Sequence, residues 1–294
     1  MEERIPTYER RLLAVVAHPD DESFGMGGTL ALYARNGCEV HLIVATQGEV
    51  GEAPPHLLEG HKDLAALRVE ELRCAASILG LAGVELLGYR DSGMAGSADN
   101  QHPNALAAAD IEAVAVRVAG IMRRVRPQVV LTFDPIGGYG HPDHIAVHQA
   151  TTRAFHLAGD RGCEIEGLPP YHPQKLYYRT FPRGFVKALL RLAPLLGMDP
   201  SRFGRNRDID LRRIFDVDFP IHARINIGPA AQAKARASAC HASQAGPPNS
   251  GLIGLIFRIL GAHEEFMRGF PPAHDGVRET DLYQGVLPDG EAGS

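Results

Sequence analysis

No apolar run in this sequence approaches the ~20 residues that a helix needs to cross a bilayer, so stable membrane insertion is not expected. The opening MEERIPTYERR is charged and has no apolar core, so a signal peptide is not expected and the cytoplasm is the expected compartment. Positive charge is not in excess either. A net charge of -5 argues against nucleic-acid binding, which needs a basic footprint. Cysteine is scarce: Cys38, Cys74, Cys163 and Cys240 are widely spaced with no C-x-x-C, the pattern of reduced thiols rather than of a disulfide framework. No internal repeat is present. Gly25, Gly27 and Gly28 do not form a G-x-G-x-x-G fingerprint in register, and the acidic turn before them would repel a pyrophosphate.

The 294 residues are enough to bury a real core, and their pattern is strand alternating with helix. Apolar runs at 12–16, 38–45, 84–89 and 129–133 read as strands. Helices are expected over 25–35, 61–79, 107–124 and 145–157, with glycine or proline marking most of the stops. Further on, 176–180 and 221–227 read as strands, and 184–196 and 230–242 as helices. Between Arg179 and Arg213 basic residues outnumber acidic ones nine to three, the composition of a solvated lid or insertion. Leu252–Phe257 is apolar and suits core or a subunit contact, which admits a homo-oligomer. The expected class is α/β: a Rossmann-like, mostly parallel sheet flanked by helices, with a smaller C-terminal α+β portion. Residues 1–175 would form the catalytic domain, and 176–294 a portion completing the substrate pocket.

Two of the strand ends carry chemistry. The first runs into A-H-P-D-D-E at 17–22 and the fourth into G-G-Y-G-H-P-D-H at 137–144. Both place imidazoles and carboxylates at the carboxyl edge of a parallel sheet, where open α/β sheets bind ligands. Two imidazoles and one carboxylate leave coordination positions open, the catalytic arrangement for a metal. Hydrolysis also needs a base that is not a ligand, and the adjacent Asp20 and Asp21 can divide those roles. Spacing favours Asp21 as the ligand only through its i, i+3 relation to His18, and it does not choose between His141 and His144. His148, one turn further on, reads as helix surface.

With these residues in view, the chain resembles the LmbE-like, or PIG-L, family of zinc-dependent N-acetylglucosaminyl deacetylases. The resemblance rests on the paired motifs at 17–22 and 140–144. T-x-G-E at 46–49, R-x-x-E-L at 68–72, Y-R-D-S-G-M at 89–94, K-A-R-A-S-A-C-H-A-S-Q at 234–244 and E-T-D-L at 279–282 add to it. It is closest to the branch that acts on N-acetylglucosaminyl-inositol in mycothiol biosynthesis.

That resemblance implies His18, Asp21 and His144 as ligands of Zn²⁺, with Fe²⁺ as the other candidate. It implies Asp20 as general base and His141 as the cationic stabiliser of a tetrahedral oxyanion. Asp143 would orient an imidazole, Tyr139 would donate to the oxyanion or gate the pocket, and Arg68 and Asp91 would contact sugar or polyol hydroxyls. For Arg68 and Asp91 a structural ion pair is an equal expectation. The implied reaction removes the N-acetyl group from an N-acetylglucosamine-type glycoside, a small-molecule substrate, releasing acetate and a free amino sugar. The alternatives are an amidase of a bulkier acyl-glucosamine conjugate, a ferrous 2-His-1-carboxylate oxygenase, and a non-catalytic carbohydrate-binding module.

Overall fold

The computed structural model describes residues 9–180, 217–244, 262–274 and 276–288. Strand β1 (Arg11–Val16) is an inner strand of the sheet. Its Leu12 to Val16 are buried on both faces, as an inner strand of a parallel sheet requires, and each leucine or valine among them contributes roughly 1.5–3 kcal/mol of burial. On one side β1 pairs in parallel with β2 (Glu39–Thr46), which pairs with β3 (Gly83–Tyr89). On the other it pairs with β4 (Val129–Phe133), and β4 with β5 (Lys175–Thr180), again in parallel. The chain therefore winds outward from β1 to β3 and returns to lay β4 on the opposite side. The crevice between the carboxyl ends of β1 and β4 is a topological switch point, where such sheets hold ligands.

The sheet does not stop at β5. Strand β7 (His263–Phe270) lies antiparallel beside it, and β6 (Ala223–Asn226) lies antiparallel to β7, giving the order β3-β2-β1-β4-β5-β7-β6. One seven-stranded sheet thus runs across residue 175. The helices are α1 (Asp21–Arg35), α2 (Leu64–Leu79), α3 (Ile111–Val125), the single turn α4 (Gly137–Gly140), α5 (Pro142–Gly159) and α6 (Ala231–Cys240). Helix α3 packs on α5, whereas α1, α2 and α6 pack on one another. Right-handed crossovers on either side of a strand-order reversal put these two groups on opposite faces.

Helix starts move by a few residues from the sequence reading because caps decide them. Asp63 accepts from Ala66 N–H and Asp110 from Glu112 N–H, so α2 and α3 begin just after those residues. Helix α1 opens at Asp21, directly after Asp20, rather than at Gly25. Strand β7 was not expected from the sequence. The expectation of four reduced cysteines does not hold: Cys74 on α2 is bonded to Cys240 at the end of α6, 166 residues away, while Cys38 and Cys163 are free. The expected helix at 184–196, the apolar stretch at 252–257 and nearly all of the basic segment lie outside the described residues. Arg179, its first member, is buried in β5 and donates to Gly25 and Glu265 carbonyls. Among the described residues no helix is long and apolar enough to cross a membrane.

Candidate metal and active site

His18 is the second residue past the end of β1, and His141 and His144 follow β4 across the α4 turn. Asp134 shapes that turn by accepting from Ile136 and Gly138 N–H. Gly137 is required in it: its φ is +63°, and a Cβ there would sit 2.7 Å from that of His144. The His144 ring stacks on Phe133 with centroids 4.0 Å apart, which fixes its plane.

The two rings have assignable tautomers. His144 Nδ1 faces Gly137 O at 3.2 Å, and a carbonyl only accepts, so Nδ1 carries the proton. His18 Nε2 donates to Asp143 Oδ2 at 3.1 Å, and that carboxylate also accepts from Ser92 N–H and the Ser92 hydroxyl. In the neutral rings the remaining nitrogens, His144 Nε2 and His18 Nδ1, are therefore bare. They stand 3.3 Å apart. Asp21 closes the set, with Oδ1 3.3 Å from His144 Nε2 and Oδ2 3.5 Å from His18 Nδ1. Three electron-rich groups converging in a buried place repel one another unless a cation or proton lies among them. This donor set, two imidazole nitrogens and a carboxylate, fits a divalent metal such as zinc.

The ionisation tendencies agree. Burial opposes charge on His18, yet hydrogen bonds to Asp143, Asp21 and Asp91 raise its pKa well above the ordinary histidine value. Burial alone would raise Asp21, but His144 and His18 hold its carboxyl well below the usual range.

His141 also brings a ring nitrogen within 4.8 Å of those of His18 and His144. Its Nδ1, however, accepts from Asp143 N–H at 3.2 Å, which leaves the proton on Nε2 and makes the ring a donor rather than a ligand. Burial, followed by the neighbouring His18 and His144, pushes its pKa down to about 2. Nearby positive charge and loss of water both oppose a second proton on this ring, the direction opposite to the cation that the resemblance implies. Asp143 thus touches both rings, through its carboxylate to His18 and through its N–H to His141.

Asp20 sits beside this group without joining it, its carboxylate 3.0 Å from Arg68 Nη2. Burial raises Asp20 to about 7, opposed by Arg68 and reinforced by the charge of Asp21. Arg68 is itself buried, donating also to Gly48 O and Pro19 O at 2.9 and 2.6 Å. Of the two readings of Arg68, the structure displays the ion pair. Asp91 is buried as well: its Oδ1 accepts from Gly93 N–H and lies 3.6 Å from His18 Nε2. Tyr139 stands at the surface, 37% exposed, with its ring edge-on to His144 at 5.0 Å. His148 is not plain helix surface: it is half-buried, bonded to Phe133 O and packed on Tyr178.

Two residues that the motif reading passed over also reach this place. Glu22 is fully buried and accepts from Asp20 N–H, and His241, from the far end of the chain, donates to the same carboxylate. Both lay inside quoted motifs, A-H-P-D-D-E and C-H-A-S-Q, but spacing gives no sign that a residue at 241 meets one at 22.

The sequence matches the model of the GlcNAc-PI de-N-acetylase (PIG-L) family over residues 13–155. It is 39% identical over 297 residues to the 1D-myo-inositol 2-acetamido-2-deoxy-alpha-D-glucopyranoside deacetylase of Streptomyces avermitilis, covering 95% of this chain and 98% of that protein. The chain belongs to the PIG-L family.

Among solved structures, the N,N'-diacetylchitobiose deacetylase of Pyrococcus horikoshii superposes with a TM-score of 0.60 at 20% identity, over 96% of this chain and 88% of that one. The 4-carboxy-2-hydroxymuconate hydratase of Pseudomonas putida superposes with a TM-score of 0.57 at 22% identity, over 90% and 98%. A deacetylase and a hydratase share this PIG-L fold, so the likeness speaks for the architecture, and the reaction must be argued from the site.

Proposed function

We propose that this PIG-L protein is a metal-dependent hydrolase that removes the N-acetyl group from an N-acetylglucosamine glycoside, with N-acetylglucosaminyl-inositol as the first candidate substrate. The observation that carries the reading is the convergence of His18 Nδ1, His144 Nε2 and Asp21 beside a carboxylate, Asp20, that is not part of the set. A spare base next to a metal site suits hydrolysis. Identity to the Streptomyces avermitilis deacetylase along almost the whole of both chains supports the choice of substrate.

His18, Asp21 and His144 would hold Zn²⁺, or Fe²⁺ in its place. Bound there, the metal lowers the pKa of a water toward ~7 and polarises a carbonyl. Asp20 takes the proton from the attacking water, a task suited to a carboxyl raised to about 7. His141 directs its Nε2–H at the acetyl oxygen as negative charge develops, acting as a neutral donor. Asp143 keeps both imidazoles in register. Tyr139, at the mouth, closes over the acyl group and donates to the same oxygen. Asp91 reads a sugar hydroxyl, and Arg68 serves the substrate indirectly by holding Asp20. The portion after residue 175 completes the pocket, with His241 reaching the catalytic turn. The compartment we assign is the cytoplasm, where small glycosides of this kind are soluble substrates.

The test is acetate release from N-acetylglucosaminyl-inositol, N-acetylglucosaminyl-malate, free N-acetylglucosamine and diacetylchitobiose, with and without chelator. Release from the inositol glycoside, abolished by chelator and restored by zinc, is the expected result. Metal-loaded protein that frees no acetate from any of the four would overturn the proposal. Cleavage of only bulkier acyl-glucosamine conjugates would move the protein to the amidase class.

A further inference from the structure

Asp20 has a backbone that its side chain does not favour. Its φ is 124° and its ψ -30°, in a region that L residues rarely adopt. Such a conformation persists only where neighbours enforce it. Two side chains bond to it directly, and two more hold the first of these. Glu22 Oε2 accepts from Asp20 N–H at 2.9 Å. Arg68 Nη2 donates to Pro19 O at 2.6 Å and to Asp20 Oδ2 at 3.0 Å. The other oxygen of Glu22, Oε1, is claimed by Ser23 Oγ at 2.6 Å and by His241 Nε2 at 2.7 Å.

We propose that Glu22 and His241 form a positioning pair that sets the backbone of Asp20 and so aims its carboxylate. The inference rests on Asp20 being the base of the proposed hydrolysis. Neither residue reaches the converging donor atoms of His18, Asp21 and His144. Glu22 bonds the N–H of Asp20 and His241 bonds Glu22, so the pair acts on the main chain of Asp20.

The pair is braced from behind. Glu71, three residues after Arg68 on α2, accepts from both Ser243 N–H and Ser243 Oγ, at 2.7 and 2.6 Å. Cys240, the residue before His241, is bonded to Cys74 on the same helix. Helix α2 therefore grips the catalytic turn directly through Arg68 and seats His241 through Ser243 and the cystine. A buried ion pair is a poor source of net stability, so stability alone gives no reason to carry a charge-bearing chain of this length to one amide. Placement gives one, because a base displaced by about 1 Å loses on the order of 10²-fold in rate.

The experiment compares His241→Ala, His241→Gln and Glu22→Gln in metal-loaded enzyme, each also in an Asp20→Asn background. Outer partners of a metal site are typically worth about 10–100-fold. His241→Ala and Glu22→Gln should lower kcat by that factor, with KM within about twofold and metal content unchanged. His241→Gln, which keeps a donor at the position of Nε2, should recover most of the loss. In the Asp20→Asn background the second substitution should cost less than about twofold. Crystal structures of the His241→Ala and Glu22→Gln variants should show Asp20 outside the positive-φ region and its contact with Arg68 broken. The pair is refuted if Asp20 keeps its conformation in both variants, or if the same factor is lost again when Asp20 is already asparagine. Should Glu22→Gln fail to fold, the His241 variants decide. Should the wild type free no acetate from any glycoside, the hydrolase reading fails, while the position of Asp20 in the variants still settles the pairing.

Discussion

His144 Nε2 lies 3.3 Å from His18 Nδ1, and in the neutral rings neither nitrogen has a proton to share, because each ring has committed its proton to an acceptor on its other side. The carboxylate of Asp21 faces both. This relationship is the chemical centre of the molecule, and the first prediction concerns what occupies it.

Alanine at His18, Asp21 or His144 should each abolish stoichiometric metal binding, while His148→Ala, whose ring is turned to Phe133 and Tyr178, should leave it intact. The raised pKa of His18 means that a proton competes for the same atoms. Metal affinity should therefore fall as pH drops, and titration calorimetry in buffers of different ionisation heat should register proton release. Full metal content in the His144→Ala protein would refute the ligand set.

Asp20→Asn should keep the metal and lose ~10²–10⁴ in kcat, the range for a general base. The base acts deprotonated, so activity should rise with pH through an acidic limb at or below about 7, since a bound cation can only lower the Asp20 value. His141→Ala should cost ~10²–10³, as for one oxyanion donor. Because burial and the neighbouring His18 and His144 push the His141 pKa down to about 2, its removal should leave any basic limb unchanged. A basic limb that vanishes in His141→Ala would restore the cationic role. Steady-state pH profiles of the three proteins decide.

Glu264 on β7 accepts from Gly28 and Thr29 N–H and from Lys234 Nζ, joining the end of the chain to α1 and α6. Burial alone would raise its carboxyl, but Lys234 and Arg179 hold it below the ordinary glutamate value. A depressed folded pKa contributes stability above the unfolded value of ~4.3 and loses it as pH falls toward the folded value. Glu264→Gln should destabilise by roughly 1.5–3 kcal/mol at neutral pH, and the gap from wild type should narrow as the medium is acidified below about 4. Urea melts at several pH values provide the measurement. A gap independent of pH would remove Glu264 from this role.

The cystine joins residues 166 apart and closes the chain between them into a loop. Cys74→Ala should cost about 2–4 kcal/mol relative to the oxidised protein, and a reductant should lower the Tm of wild type toward that of the variant while leaving the variant's Tm unchanged. Equal melting temperatures with and without reductant would show the bond to be absent in solution.

Much of this protein was legible in order along the chain. The parallel core follows from local pattern: Leu12–Val16 and Val129–Phe133 are short, uniformly apolar and end in polar turns, and such runs bury on both faces whatever surrounds them. The motifs at 17–22 and 137–144 could be assigned to one sheet edge for the same reason, since parallel strands end on the same side. Strand β7 was hidden because its sequence, HEEFMRGF, places Glu264 and Glu265 inside, and buried carboxylates erase the alternation by which a strand is read.

Spacing alone left the two aspartates and the two histidines undivided. Tertiary structure gives each ring a different partner: Gly137 O for His144, Asp143 Oδ2 for His18, Asp143 N–H for His141. Arg68 became a clamp on Asp20, Cys74 met Cys240, and His241 met Glu22, pairs separated by 48, 166 and 219 residues. Local sequence marks the short apolar runs that can become buried strands and the turns that end them, because both are written in the pattern of neighbouring residues. Ionisation, tautomer and distant partners depend on burial and on groups brought together by folding, and the three-dimensional arrangement alone decides them.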